Sequence, residues 1–129
     1  MKDYKAMFYE VKTTMDKEVV AYASSSTTHR CICIMGQVSK ALENLEKEYG
    51  KKGEWETAWN NTVDLFRSLK KDTKNIMSQT DKYYFNPFLR KVFKKRAETY
   101  DTFSTIETML FVSIEPILDK HTGNDRFSN

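Results

Sequence analysis

Few residues in this sequence have chemistry to offer: His29 and His121, Cys31 and Cys33, a hydroxyl run from Ser24 to Thr28, and a block of cations in the third quarter. Neither histidine stands in a His-x-x-x-His or Glu-x-x-His pattern. Those helical spacings aim two metal ligands from one face, so no di-metal bundle site is expected. A structural zinc needs four ligands, and Cys31, Cys33 and His29 supply at most three in one place. His121 joins them only if the fold brings it there. The two cysteines lie too close in sequence to close a useful loop and read as free thiols, which pack as small hydrophobes. Gly36, Gly50, Gly53 and Gly123 make no phosphate-cradling loop, and no serine sits in a Gly-x-Ser-x-Gly elbow. His29 beside Arg30 follows the hydroxyl run, but a base and a nucleophile pair in space rather than along the chain. An acid–base site would require the fold to set His29 or His121 against a carboxylate. Glu43 and Glu46 read as part of a solvated helix face. The expectation is a protein with no catalytic residue, no cofactor and no metal, which works by binding.

Between Arg67 and Arg96 ten basic residues stand against Asp72 and Asp81, a balance of +8 in a chain whose net charge is +3. From Ala97 onward Lys120 and Arg126 stand against six acids, a balance of −4. The basic block encloses an aromatic turn: Tyr83, Tyr84, Phe85, Asn86, Pro87 and Phe88. On one continuous helix Arg90 would neighbour Lys94, and Lys91 would neighbour Lys95. Each such pair costs about 0.2–0.5 kcal/mol, and cations near a helix start lose about 0.3–1 kcal/mol more. Charges that oppose folding in this way point to an anionic partner.

The elements that must position these residues are helices. The chain has 129 residues, 40% hydrophobic and 30% charged, which suits one soluble domain with a real core. The reading is a single helical domain over 1–120 and a flexible tail over 121–129. No apolar run approaches the ~18 residues of a membrane span. The first residues lack the apolar stretch of a secretory signal, so the expected location is intracellular and cytoplasmic. Apolar residues recur at three-and-four spacing through Cys31, Met35, Val38 and Leu42, through Trp55, Trp59, Val63 and Phe66, and again from Phe88 through Val92 and Phe93 to Ile117. Gly50 and Gly53 end one run, and Asn86 with Pro87 starts another. Pro116 is expected to kink or end the last helix.

The expected fold class is therefore all-α, an antiparallel bundle of about four helices near 3–23, 27–49, 54–84 and 86–118, with a long third/fourth hairpin. The alternative is α+β, with an N-terminal β-hairpin within residues 4–34 packed on the helices. It arises because Phe8, Tyr9, Val11, Thr13, Thr14, Val19 and Val20 are strand formers.

At about 1.5 Å per residue, the last two helices exceed the first two by roughly 15 Å, and the excess lies at the aromatic turn. Apolar surface left uncovered there usually meets a partner. The first functional reading is protein–protein contact as an inhibitor or adaptor of a larger partner with an acidic surface. Tyr83, Tyr84, Phe85 and Phe88 are its anchors, and Arg90, Lys91, Lys94 and Lys95 its rim. The second is nucleic-acid binding along Lys70, Lys71, Lys74, Arg90, Lys94 and Lys95, with Lys74 close to Arg96 across the hairpin. A membrane-surface or scaffold role is the third, and a homodimer through the tip would use the same surface.

Overall fold

A computed structural model describes residues 2–22 and 26–122. Among them every regular element is helical and no strand occurs. The order is α1 Tyr4–Ala21, α2 Ser26–Gly50, α3 Trp55–Phe85, α4 Pro87–Val92, α5 Lys94–Thr108, a π-helical stretch Met109–Ile114, and α6 Glu115–Thr122. The fold is an antiparallel helical bundle with a long hairpin built from α3 and α5. No helix among the described residues is long and apolar enough to cross a membrane.

The α+β alternative fails at α1. Met7, Phe8, Val11 and Met15 fall on one helical face and are all buried, so spacing overrides the strand preference of the individual residues. Asp3 caps the helix by accepting the Ala6 amide at 3.0 Å. Of the hydroxyl run Ser24–Thr28, expected to break the chain between the first two helices, Ser24 and Ser25 lie outside the described residues, whereas Ser26, Thr27 and Thr28 belong to α2. α2 passes into α3 through Gly53, whose φ of 71° suits glycine. A Cβ at Gly50 would lie 2.8 Å from the Trp55 ring.

The core draws on every long element. Phe8 and Met15 from α1, Met35 and Leu42 from α2, and Trp59 and Phe66 from α3 interlock with Met109, Ile114 and Leu118. Cys31 is fully buried, with its Sγ 3.7 Å from the Met109 Sδ. Burial pushes its thiol up to about 11, which leaves it inert at neutral pH.

The expected fourth helix over 86–118 is two helices. Asn86 caps α4 as its sequence implies, its side chain accepting from the Phe88 and Leu89 amides at 3.0 and 3.2 Å. The chain then breaks at Phe93 (φ −113°, ψ 58°). The break takes Arg90 and Lys94, and Lys91 and Lys95, off a common helix, and so removes the like-charge spacing that a continuous helix would impose. From Lys94 the chain runs as one rod through α5, the π stretch and α6, with helical dihedrals at both junctions. Pro116 therefore does not end the helix. The Glu115 amide bonds five residues back to the Leu110 carbonyl, and this wider turn lies just where Pro116 has no N–H to give. α6 includes His121 and Thr122, two residues assigned to the tail from sequence; residues 123–129 lie outside the described part.

α1 is tied to this rod at two levels. Ser113 donates to Glu18 at 2.8 Å, and Glu10 meets His121 at 2.7 Å and Lys120 at 3.4 Å.

Candidate binding surface at the hairpin tip

The hairpin outruns the core. The last buried residue of α3 is Thr73, and the residues from Lys74 to Phe85 carry the helix about 18 Å further. From Lys74 to Asp101, around the whole turn, Ala97 alone is buried. α4 lies across the end and packs on both α3 and α5.

Rings and guanidinium groups hold this tip together. Tyr84 stacks on Tyr100 with centroids 4.8 Å apart, and Phe85 meets Tyr100 edge-on at 5.2 Å. Tyr83 packs on Phe93 at 5.2 Å. The Arg96 guanidinium donates to the Tyr83 hydroxyl at 2.6 Å and lies 5.4 Å from the Phe93 ring. Arg90 sits 5.1 Å over Tyr84, a cation–π contact. Partial burial acts to raise the Tyr83 phenol, but the Arg96 hydrogen bond and the charges of Arg96 and Lys82 outweigh it and hold the phenol below its ordinary value. Tyr100 moves the other way, raised by burial and then by the nearby Asp81 and Glu107 carboxylates.

The expected anchors thus divide. Tyr83 and Tyr84 are half-buried and engaged within the tip, whereas Phe85 and Phe88 are 65% and 72% exposed. Val92, 57% exposed, and Phe93 join the outward apolar surface. Sequence reading had placed both on a buried stripe. The available signal was the four-residue step from Phe88 to Val92, which puts both on one side of α4. All four expected rim cations, Arg90, Lys91, Lys94 and Lys95, are exposed here. From Lys82 to Ala97 the sequence holds six cations and no acid.

The basic strip runs in a different register from the one expected. Tyr83, not Lys74, stands opposite Arg96, so Lys74 lies about 13 Å back along α3 from that level. Lys74 instead faces the Phe111 ring at 5.4 Å. Lys70 faces the same ring at 4.7 Å and pairs with Glu115 at 3.2 Å. The seven residues of α4 and Phe93 absorb the difference, because they cross the end of the hairpin instead of extending it. Lys71 is exposed.

Beside the knob lies a groove of about 670 Å³. Tyr84, Pro87 and Ala97 form its apolar part. Arg90, Lys91, Lys94, Glu98 and Asp101 supply its charged lining.

The remaining candidates for chemistry are dispersed. His29 lies 3.9 Å from the exposed Cys33, across the helix from buried Cys31. His121 does meet a carboxylate, Glu10, but Lys120 engages the other oxygen of that carboxylate, and the imidazole stands edge-on to Trp59 at 5.9 Å. The contact works as a clamp between the first and last helices. Among the described residues no three His, Cys, Asp or Glu side chains gather as a metal site. The chain matches no protein-family model, no curated protein and no solved structure.

Proposed function

We propose that this chain is a non-enzymatic helical binding module that docks through its hairpin tip onto an acidic surface of a larger protein, as an adaptor or inhibitor. The observation that carries this reading is the outward knob of Phe85, Phe88 and Val92 within the run Lys82–Ala97, which holds six cations and no acid. Aromatic anchors with arginine beside them are the composition favoured at interface centres. The three side chains are exposed, so the partner supplies the pocket that covers them.

Magnitudes indicate how the work is divided. Covering the exposed parts of the three anchors yields on the order of 9 kcal/mol at about 25 cal/mol per Å², within the range that association consumes in lost freedom. The cations of that run must therefore add their share, through steering and through charge pairs that exclude wrong partners. Nucleic acid is less well served, because Lys70 and Lys74 turn toward Phe111 and Glu115.

The test is site-specific photo-crosslinking in the native host. A photo-reactive residue replaces Phe88 or Val92 in two samples and Lys51, in the opposite turn, in a control. The expected result is an acidic protein trapped at the two tip positions, absent at Lys51 and lost when Arg90→Glu and Lys94→Glu are added. Identical adducts at all three positions, or nucleic acid in place of protein at the tip, would refute the reading.

A further inference from the structure

The groove beside the knob carries charges of both signs that the chain does not spend on itself. Arg90, Lys91, Lys94, Glu98 and Asp101 line it, and none of them makes an ion pair among the described residues. Charges of the body behave differently: Lys12 reaches Glu43 at 3.6 Å and Lys70 reaches Glu115 at 3.2 Å. Asp101 is half-buried and still unpaired, which costs free energy that a hydrogen-bond donor would recover. Arg90 differs from the lysines in being held. Its guanidinium sits 5.1 Å over Tyr84, which in turn stacks on Tyr100. The ring fixes the guanidinium and leaves its N–H donors free of any carboxylate, as a fork prepared for a two-pronged acceptor. Lys91 and Lys94 add two point charges. α5 also begins with no capping side chain and no acid in its first turn, so the positive end of its dipole reinforces the field at Lys94.

We infer that this groove binds a nucleoside monophosphate with an amino-bearing base. Its phosphate dianion takes the Arg90 fork and the two ammonium groups. Its base lays a flat apolar body on Tyr84 and Pro87, over the buried Ala97. Its amino group donates to Glu98 or Asp101, whose ionised carboxylates only accept. Along α5 the lining runs from Lys94 to Asp101 over about 10 Å, a span that suits a nucleotide better than a bare phosphate. The volume of about 670 Å³ falls within the roughly 300–1,000 Å³ of small-molecule sites. The same carboxylates repel a second anionic group, which favours a single nucleotide over a nucleic-acid strand. The three cations are exposed, so binding is moderate, with a dissociation constant on the order of 0.1 mM, and weakens with salt. The inference goes beyond the tip-docking reading and does not rest on it, since Phe85, Phe88 and Val92 lie outside the groove.

Titration of the full chain at low salt, followed by amide NMR shifts, tests it with adenosine monophosphate as the probe. Shifts should concentrate between Tyr84 and Asp101. Adenosine, which lacks the dianion, and inorganic phosphate, which lacks the base, should each bind about tenfold more weakly or worse. Inosine monophosphate, in which a carbonyl replaces the amine, should also lose about tenfold, because its oxygen meets carboxylates. Glu98→Gln combined with Asp101→Asn should shrink that preference to about twofold, since amide side chains donate to the carbonyl. Arg90→Lys keeps the charge but loses the fork, and should weaken adenosine monophosphate by about tenfold. Circular dichroism confirms that the variants fold, and the comparison of the four ligands needs no variant at all. No shifts up to about 5 mM adenosine monophosphate, or shifts confined to the body, overturn the inference. So does equal affinity for adenosine monophosphate and any of the other three ligands, or a preference over inosine monophosphate that survives in the double variant. None of these outcomes touches the crosslinking at Phe88, so the two readings fail separately.

Discussion

Up to Thr73 on α3 and back from Thr102 on α5, side chains such as Phe8, Met35, Trp59 and Leu118 interlock with 2% or less of their surface exposed. Beyond those two threonines Ala97 alone is buried, and the structure is held by ring contacts and by Arg90 and Arg96 lying over tyrosines. The body gains its stability from area removed from water, which is large and insensitive to salt. The tip depends on aromatic edges and cation–π contacts, worth about a kilocalorie each and open to solvent. An overhang built this way contributes little to folding, and its surface is correspondingly free for another use.

Substitutions can break or sharpen this contrast. The largest effect is expected in the body: Trp59→Ala should lose about 3–5 kcal/mol in urea unfolding, and a loss under about 1 kcal/mol would mean that the core is not where the stability lies. Next comes the centre of the tip. Tyr100→Ala removes the ring against which Tyr84 and Phe85 pack, and should cost about 1–2 kcal/mol. Its signature is local, with faster amide hydrogen exchange over residues 76–101 and unchanged exchange in α1 and α2. Equal acceleration in both regions would show that body and tip are one cooperative unit.

A smaller effect is expected at the clamp between α1 and α6. The His121 hydrogen bond, helped by the Lys120 charge, holds the Glu10 carboxyl below its ordinary 4.5. A folded value lower than the unfolded one stabilises fully above the ordinary value and is lost as pH falls through the lowered one. Glu10→Gln should therefore cost about 0.5 kcal/mol at about pH 6, a modest figure because the carboxylate is partly solvated, and nothing once the pH has fallen through the lowered value. A cost that persists unchanged in acid would assign the effect to packing. The smallest change should come from Phe88→Ala, within about 0.5 kcal/mol in urea unfolding, even though this side chain sits at the centre of the proposed docking surface.

The same contrast explains what could be read from sequence. The bundle was legible because Phe8, Val11 and Met15, like Trp59, Val63 and Phe66, repeat at the helical period and are buried for that reason. The turn at Asn86 and Pro87 was legible because its capping chemistry is local. Phe93 was not, since no glycine or proline marks the break; it follows from packing on Tyr83 and Arg96. Missing that break shifted the register, so Lys74 was set beside Arg96 and Val92 was placed in the core. Which tyrosines turn inward and which phenylalanines turn outward depends on the same register. The location of the surface was therefore readable, but its composition was not. The course of the chain past Pro116 was likewise hidden, because a proline in a helical pattern fits a stop, a kink or a widened turn, and tertiary packing selects among them.

That widened turn makes the rod a counting device. A π stretch holds one residue more than an ordinary helix spends on the same advance, and each residue turns the helix by about 100°. Remove one exposed residue of that stretch, such as Val112, and a regular helix spans the same advance, so Leu118 still faces the core and His121 still faces Glu10. Remove one residue from the regular helix of α5 instead, and everything downstream rotates by that angle, which swings Leu118 off the core although no side chain in α6 has been altered. The rod therefore tolerates a one-residue deletion within Met109–Ile114 far better than the same deletion a turn or two earlier.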